Sequence, residues 1–372
     1  AWCWNRRQAT STTTTRIRTM ISSCEQQTIS SDLVEFDALF PRLVNIVTNM
    51  SDQDKAAEAA LGWFKKVCIY NVPKINRSSG LTVASVYEQL VPDASQEDIE
   101  VARVLGWCVE MLRAFFFMMD DVLDNSEERE GKACWHKMNG MMAINDSVFL
   151  ETSVYQLLKI YTSKKAYYVP LLELFLKTTR TTVIGQCMDM LAPGPDQDLD
   201  LSRFNMNEYS AVARWKSMAC LPVDTALILA GFTDEDHLSK VRTILLEIGL
   251  FVQIEDDYMD CFGDPEVPGK FGNDIEERKC TWLIVRALEV ATEEQKKDLM
   301  SLYNRCHQDG AEAVSKVKRL YRDLSLEELF QQFKQESLDK VILMINSLET
   351  KIPKSVLVGV VNAVYKTNVI SY

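Results

Sequence analysis

The stretch Asp120-Asp121-Val122-Leu123-Asp124 has a counterpart with the same spacing, Asp256-Asp257-Tyr258-Met259-Asp260. Residues four positions apart in a helix lie on one face, one turn from each other. The first and last aspartates of each stretch therefore place two carboxylates side by side. Two such pairs on two helices predict a site that both helices share.

Both acidic stretches follow apolar helical sequence, at residues 114–119 and 248–254. Like charges beside an apolar wall repel each other and lose hydration, and a divalent cation relieves both costs. Carboxylate ligands without a nearby His or Cys favour Mg²⁺. A single stretch of this kind is equally typical of a solvated helix end, but two matching copies favour a metal site. The expected metal ligands are Asp120, Asp124, Asp256 and Asp260.

The composition predicts an all-α fold. Only 14 Gly and 10 Pro occur among 372 residues, and 47% of the residues are hydrophobic. The apolar positions recur at helical rather than alternating spacing. No linker rich in Pro, Gly or Ser divides the chain after its first thirty residues, so residues 31–372 are expected to form one large domain.

Charge and cysteine usage exclude several classes of function. The formal net charge is −12, which disfavours a nucleic-acid partner and means that an anionic ligand needs local Lys, Arg or metal. Ten cysteines without a CxxC pair indicate reduced thiols used in packing, and no zinc site is expected. No apolar run approaches the roughly 20 residues that cross a bilayer, so no transmembrane segment is expected.

The first 24 residues contain Arg6, Arg7, Arg16 and Arg18, many Ser and Thr, and no acidic residue before Glu25. This bias is typical of a mitochondrial transit peptide, although a merely disordered leader fits equally well. Residues 1–30 are therefore set apart from the domain. The expected localisation is mitochondrial or cytoplasmic.

Local signals place several helix ends. Ser95 with Asp98 predicts a capped helix that runs to the first acidic stretch, and Thr292 and Ser325 each open a predicted capping box. Helices are expected around residues 144–160 and 168–191, Pro222 should kink or break a helix, and Thr233 should begin the one that leads to the second acidic stretch.

Basic and apolar residues surround the two acidic stretches. Arg129, Lys216, Lys270 and Lys279 would supply cations for a highly charged anion bridged by Mg²⁺. The apolar wall at residues 115–119 suggests that the rest of the ligand is hydrocarbon. A diphosphate on an apolar chain fits both halves, and a metal acting as a Lewis acid on it could leave an allylic cation in a dry cavity.

Long segments of the chain resemble short-chain trans-prenyl diphosphate synthases, specifically the farnesyl diphosphate synthase family of animals, over residues 33–366. The matching segments are residues 105–110, both acidic stretches with the second extended to residue 267, Gly185-Gln186 with Asp189, and Trp215-Lys216-Ser217. The resemblance implies an all-helical isoprenoid synthase fold with a central cavity, a homodimer and three Mg²⁺ ions.

The same resemblance implies roles for individual residues. Metal binding and ionisation would depend on Asp120, Asp124, Asp256 and Lys216. The allylic diphosphate would bind to Arg129, Lys216, Ser217, Gln253, Lys270 and Lys279. Phe115 and Phe116 occupy positions that set cavity depth in the family, which suggests a substrate of ten or fifteen carbons.

The sequence departs from this family where a second diphosphate, that of isopentenyl diphosphate, would bind. Aligned without gaps, a family lysine and arginine in the loop 74–80 are replaced by Asn76 and Ser79, a glutamine by Arg113, and an arginine by Glu130. The stretch after Lys216 is three residues shorter than the family pattern, and the basic C-terminal tail is missing.

These departures favour a terpene synthase, similar to those that make volatile terpenes in insects. Such an enzyme would ionise geranyl or farnesyl diphosphate without condensing it with isopentenyl diphosphate. The first alternative is a working geranyl or farnesyl diphosphate synthase whose second site uses Lys74, Arg77 and Arg113. The second alternative is a catalytically inactive scaffold, which the retained carboxylates and lysines disfavour.

Overall fold

The computed structural model describes residues 32–49, 55–73, 77–192, 201–263 and 272–366, without the side chains of residues 202 and 307–309. Within these ranges the chain is almost entirely helical, which confirms the all-α prediction. The helices are α1 (32–47), α2 (Glu58–Asn71), α3 (Ser78–Leu90), α4 (Gln96–Leu123), α5 (Trp135–Asn139), α6 (Met142–Thr162), α7 (Tyr168–Leu191), α8 (Met206–Lys216), α9 (Leu221–Leu229), α10 (Glu235–Phe262), α11 (Trp282–Val290), α12 (Glu293–Asp323), α13 (Leu326–Ser347) and α14 (Lys354–Tyr365). Short 3₁₀ turns cover Lys55–Ala57 and Leu201–Arg203, and β1 (Glu128–Arg129) pairs antiparallel with β2 (Lys132–Ala133).

The predicted helix starts at Ser95 and Thr292 are confirmed. The Ser95 hydroxyl accepts a hydrogen bond from the Asp98 amide at 3.2 Å, and Thr292 forms a reciprocal capping box with Gln295. These caps satisfy amides that the first helical turn leaves without a partner. α4 therefore runs for 28 residues and ends in the first acidic stretch.

The capping box predicted at Ser325 is wrong. Ser325 has a left-handed backbone with φ 55°, and its side chain makes no cap hydrogen bond. A capping residue needs an extended backbone to direct its hydroxyl at the first turn. The short connection from α12, which ends at Asp323, to α13, which begins at Leu326, imposes the left-handed turn instead.

The helix break at Pro222 is confirmed. α8 ends at Lys216, and α9 begins at Leu221 with Pro222 in its first turn, where a missing amide removes no helical hydrogen bond. The helix expected from Thr233 begins at Glu235. Its cap is Asp234, whose carboxylate accepts a hydrogen bond from the Asp236 amide at 3.0 Å.

The hydrophobic core forms two clusters of buried side chains. α10 contributes to both, with Phe251 in the larger cluster and Ile254 in the smaller one. Because one helix joins the two clusters, its second acidic stretch is held rigidly. α3 and α4 make backbone contact, since a Cβ on Gly106 would lie 2.3 Å from the Gly80 carbonyl oxygen.

Several expectations fall outside the described residues. The leader at residues 1–30, with its mitochondrial targeting, stays a prediction, and so do the placements of Lys74, Asn76 and Lys270. None of the helices in the described ranges is long and apolar enough to cross a membrane.

Candidate active site

The two acidic stretches meet at one cavity of about 1280 Å³. Side chains from α3, α4, α7, α8, α9, α10, α12 and α14 line its wall. Asp120 belongs to this lining at the end of α4, and Asp256 and Asp260 belong to it at the end of α10. The shared site expected from the two stretches is therefore present in the fold.

Asp120 is surrounded by three hydrogen-bond donors. One carboxylate oxygen accepts from the Arg129 guanidinium at 2.8 Å. The other accepts from the Lys216 amine at 3.2 Å and the Gln186 amide at 3.1 Å. These donors come from the β1–β2 hairpin, α8 and α7, so Asp120 lies where three separate elements converge.

Asp124, one turn further along α4, forms an ion pair with Lys279. Burial raises the pKa of Asp124, and the neighbouring Asp120 raises it further, while Lys279 opposes both effects. For Lys279, burial lowers the pKa of the amine, but Asp274 and Asp124 outweigh that effect and raise it. Lys279 therefore carries its positive charge at neutral pH.

Lys216 is positioned by a close helix contact. A Cβ on Gly185 would lie 2.3 Å from the Lys216 backbone nitrogen, so only glycine lets α7 approach the end of α8 this closely. The Lys216 amine also contacts Asp189 of α7 at 2.9 Å. Burial lowers its pKa, and Asp189 and Asp120 together raise it above the ordinary lysine value.

The second acidic stretch is tied to the first through Lys279. One oxygen of Asp260 accepts a hydrogen bond from the Asp274 amide at 3.3 Å. The Asp274 carboxylate lies 3.6 Å from the Lys279 amine, which also holds Asp124. This line of contacts joins α4 to α10 across the cavity.

The donor chemistry of the site fits a hard cation, because carboxylate oxygens of both stretches line one cavity. In the described residues, no three His, Cys, Asp or Glu side chains form a preformed metal cluster. Arg129, Lys216 and Lys279 occupy the carboxylates of the first stretch instead. The residues of the two stretches that could hold such a cation are Asp120, Asp124, Asp256 and Asp260, and it would neutralise their charge.

Most of the predicted site residues come together at the cavity. Those that line it are Phe116, Asp120, Arg129, Lys216, Ser217, Gln253, Asp256, Asp260 and Lys279. Asp124 joins them through its ion pair with Lys279. Phe115 is not part of the lining; it packs against the main core, with its ring centroid 4.7 Å from that of Phe116.

Three of the four positions that depart from the family pattern lie at this cavity, and the fourth, Asn76, lies outside the described residues. Ser79 of α3, Arg113 of α4 and Glu130 of the hairpin all belong to its lining. Arg77 does not, and its guanidinium forms an ion pair with Asp37 at 2.9 Å.

Sequence reasoning did not assign site roles to Gln186, Asp189 and Asp274. Gln186 and Asp189 are three residues apart on α7 and so share a face, which is a signal that could have identified them. Asp274 has no such local signal, because its role comes from Lys279 and Asp260 reaching it in the folded chain.

Comparison with known proteins gives one consistent result. Residues 62–324 match the family described as polyprenyl synthetase. The chain is 38% identical over 339 residues to a farnesyl pyrophosphate synthase of Gallus gallus, covering 89% of this chain and 91% of that protein. It is 37% identical over 339 residues to a farnesyl pyrophosphate synthase of Homo sapiens, covering 89% of this chain and 80% of that protein. It is 36% identical over 341 residues to a farnesyl pyrophosphate synthase of Saccharomyces cerevisiae, covering 88% of this chain and 95% of that protein.

Proposed function

This chain belongs to the polyprenyl synthetase family, and we propose that it is a prenyltransferase that condenses an allylic prenyl diphosphate with isopentenyl diphosphate. The observation that carries the proposal is the shared cavity. The acidic stretches with their cations and the residues expected at a second diphosphate line the same space. Two diphosphates bound there would bring an allylic carbon and a double bond together.

The terpene synthase interpretation is wrong. Relatives that match 88–90% of this chain at 36–38% identity are named farnesyl pyrophosphate synthase, and none of those reported above is named a terpene synthase. The expected likeness to insect terpene synthases is not confirmed either. Ser79 and Glu130 each stand where the family has an arginine. The loss of these two cations does not show that the second site has lost its function.

Members of this family generally use Mg²⁺, and the residues that would hold it here are Asp120, Asp124, Asp256 and Asp260. When bound, Mg²⁺ would act as a Lewis acid on the leaving diphosphate. Three ions are proposed from the family resemblance alone. The donor set supports a hard cation, because it consists of carboxylate oxygens, and Asp120, Asp256 and Asp260 line one cavity.

The chain's own cations would bind and orient the allylic diphosphate. Arg129, Lys216 and Lys279 already converge on the first acidic stretch, with N–H donors fixed by burial and ion pairs. As the C–O bond of the allylic substrate breaks, negative charge grows on the leaving diphosphate, and these donors stabilise it. Gln253 and Ser217 line the same region, and Lys270 is added from the sequence resemblance.

The apolar part of the cavity would exclude water from the reacting carbons. Phe116, Phe117 and Met119 line it within about one turn of the first acidic stretch. In the condensation, the new C–C bond forms to the double bond of isopentenyl diphosphate, and loss of a proton regenerates a double bond. Phe116, backed by Phe115, would limit the product to ten or fifteen carbons.

A homodimer is proposed from an uncovered stripe on α7. Val169, Leu176, Val183 and Met190 recur every seven residues, and each is about half exposed. Apolar residues at heptad spacing favour packing against another helix. A second copy of the chain would cover this stripe, and α7 also carries Gln186 and Asp189 of the site.

The test supplies radiolabelled isopentenyl diphosphate with dimethylallyl or geranyl diphosphate and Mg²⁺, and separates products by chain length. We expect label in an allylic diphosphate of ten or fifteen carbons. A matched reaction without the allylic partner should give no labelled product. Volatile hydrocarbon from the allylic substrate alone, without incorporation of label, would reject the proposal. Absence of turnover of either kind would favour the inactive scaffold.

A further inference from the structure

Arg129 is carried by a short β-hairpin that has little stability of its own. β1 and β2 contain two residues each, and an isolated pair of strands this short is marginal in water. The turn between them places Glu130 at φ 53° and Gly131 at φ 73°. A left-handed backbone suits glycine but is unfavourable for a glutamate. The position of Arg129 therefore depends on contacts between the hairpin and the rest of the fold.

The guanidinium end of Arg129 is held from α4. It contacts Asp120 at 2.8 Å and Asp121 at 2.6 Å, and it lies 4.8 Å from the centroid of the Phe117 ring. These partners orient the guanidinium, but a long side chain with many rotamers can reach them from several backbone positions. The backbone that carries Arg129 needs an anchor of its own.

The hairpin backbone is anchored by Tyr70 of α2. The Tyr70 hydroxyl donates to the Ala133 carbonyl of β2 at 2.8 Å. The Lys132 amine of the same strand lies 5.8 Å from the centroid of the Tyr70 ring, which adds a cation–π contact. In the register of the hairpin, Ala133 is opposite Glu128 and Lys132 is opposite Arg129. A displacement of β2 would therefore carry β1 and Arg129 with it.

Tyr70 is itself fixed by a buried carboxylate. Asp146 of α6 is fully buried, and its two oxygens accept hydrogen bonds from the Trp63 indole at 2.9 Å and the Trp135 indole at 2.8 Å. The centroid of the Trp135 ring lies 5.1 Å from that of the Tyr70 ring. Trp63 precedes Tyr70 by about two turns of α2, so both lie on one face of that helix. Because both oxygens of Asp146 are bonded, α2 and α5 are held together against α6.

Resting on the function proposed above, we propose that Tyr70 is a positioning residue for Arg129 and sets where its guanidinium meets the leaving diphosphate. Tyr70 does not line the cavity, so it acts through the hairpin and not on the substrate. The contacts run from Asp146 through Trp135 and Tyr70 to the hairpin. A donor stabilises developing charge only if it is in place beforehand, so a small displacement of Arg129 weakens its contribution.

The test compares Tyr70→Phe with wild type, because phenylalanine keeps the ring and removes the hydroxyl. We expect kcat/KM for the allylic diphosphate to fall about three- to tenfold, the usual effect of one lost hydrogen bond. The affinity for inorganic diphosphate with Mg²⁺, measured by calorimetry, should fall by a similar factor. The KM for isopentenyl diphosphate should change less than about twofold.

Tyr161→Phe is the matched control. The Tyr161 hydroxyl also bonds between two helices, where it accepts from Arg42 at 3.4 Å, but Tyr161 does not line the cavity and has no contact with the hairpin in the described residues. This variant should keep wild-type kinetics. Melting temperatures of both variants are compared with wild type, so that a loss of folded protein is not read as a loss of function.

A double-mutant cycle separates positioning from a merely structural role. Tyr70→Phe is also introduced into Arg129→Gln, and there it should change diphosphate affinity less than about twofold, since the group that Tyr70 positions is absent. Equal losses in both backgrounds, or no loss in the wild-type background, would overturn the assignment. If Tyr70→Phe does not fold, Lys132→Met takes its place in the cycle, because it removes only the cation–π contact, and absence of coupling to Arg129 would again overturn the assignment.

The binding measurement keeps this inference distinct from the proposed function. Coupling between Tyr70 and Arg129 in diphosphate affinity, without any condensation, would support the inference and reject the function. Condensation by wild type with no coupling between the two residues would reject the inference alone. Failure of wild type to bind diphosphate in the presence of Mg²⁺ would reject both.

Discussion

Asp121 and Asp257 occupy the same second position in the two acidic stretches, and both are buried and hydrogen-bonded to other parts of the protein. Asp121 accepts from the Arg129 guanidinium at 2.6 Å. Asp257 accepts from the Tyr209 hydroxyl at 2.7 Å and the Trp282 amide at 2.8 Å. One residue of helical rotation turns these carboxylates about 100° away from their neighbours. The second aspartate of each stretch therefore anchors surrounding elements.

The Tyr209 hydroxyl should be important for stability, because Asp257 is buried and needs its hydrogen-bond donors. Tyr209→Phe is expected to lower the free energy of unfolding by about 1–3 kcal/mol, as a buried carboxylate loses a hydrogen bond. Urea unfolding measures the change. The matched control is Tyr258→Phe, since the Tyr258 ring stacks on Phe330 and its hydroxyl makes no hydrogen bond within the described ranges. Equal losses in both variants would contradict the anchoring role.

The fold and the place of the site were predictable because their signals are local. The apolar sequence before each acidic stretch and the Ser95 cap define α4 and the final turns of α10. The pairing of basic side chains with Asp120 was not predictable, because the donors come from the β1–β2 hairpin, α7 and α8, and only folding brings them together.

The wrong interpretation of function has a physical reason as well. Each departure was weighed as a lost contact at its own position, so in the favoured interpretation Arg113 counted as the loss of a glutamine, and only the alternative used it as a cation of the second site. Its side chain gains a place at the cavity only through Glu110, whose second partner is the amide of Gly80 on α3. That contact depends on the close approach of α3 and α4, which no sequence pattern near Arg113 indicates.

Turnover should depend on Mg²⁺ and on one carboxylate from each acidic stretch. Asp120→Asn and Asp256→Asn are each expected to lower kcat by about a hundredfold or more, because a metal ligand becomes neutral. Excess chelator should abolish turnover, and added Mg²⁺ should restore it. The control is Asp236→Asn at the exposed start of α10, which should keep wild-type activity. Sustained turnover in chelator would contradict the metal-dependent chemistry.

Glu130 should weaken binding of the second diphosphate. It lines the cavity and lies near enough to Glu110 to raise the pKa of that carboxyl, a pKa that burial raises most. Glu130→Gln is expected to lower the KM for isopentenyl diphosphate about fivefold by removing a repulsive charge. Glu127→Gln, on an exposed acid paired with Lys137, is the control and should change neither KM. An unchanged KM in Glu130→Gln would place the second diphosphate elsewhere.

The α7 stripe should hold two copies of the chain together. Val183→Glu is expected to shift the species seen by light scattering from dimer to monomer, because a charge would be buried without a partner. Leu343→Glu on α13 is the control, since Leu343 is equally apolar and more exposed but lies outside the stripe. A wild-type monomer, or a Val183→Glu dimer of unchanged stability, would contradict this interface.

Asp224 should make the stability of the fold fall as pH rises. Burial raises its pKa from 3.8 to about 6, and Glu235 adds to this, while Arg242 and Lys177 oppose it. The folded carboxyl therefore keeps its proton to a higher pH than the unfolded one. The contribution of Asp224 to the free energy of unfolding is complete below about pH 4. It is lost as pH rises to about 6, by at most about 3 kcal/mol.

Asp224→Asn cannot titrate, so urea unfolding at several pH values should show wild type losing stability relative to the variant across this window. Exposed Asp93→Asn should leave the wild-type pH profile unchanged, and parallel profiles for wild type and Asp224→Asn would show that folding does not raise the pKa of Asp224.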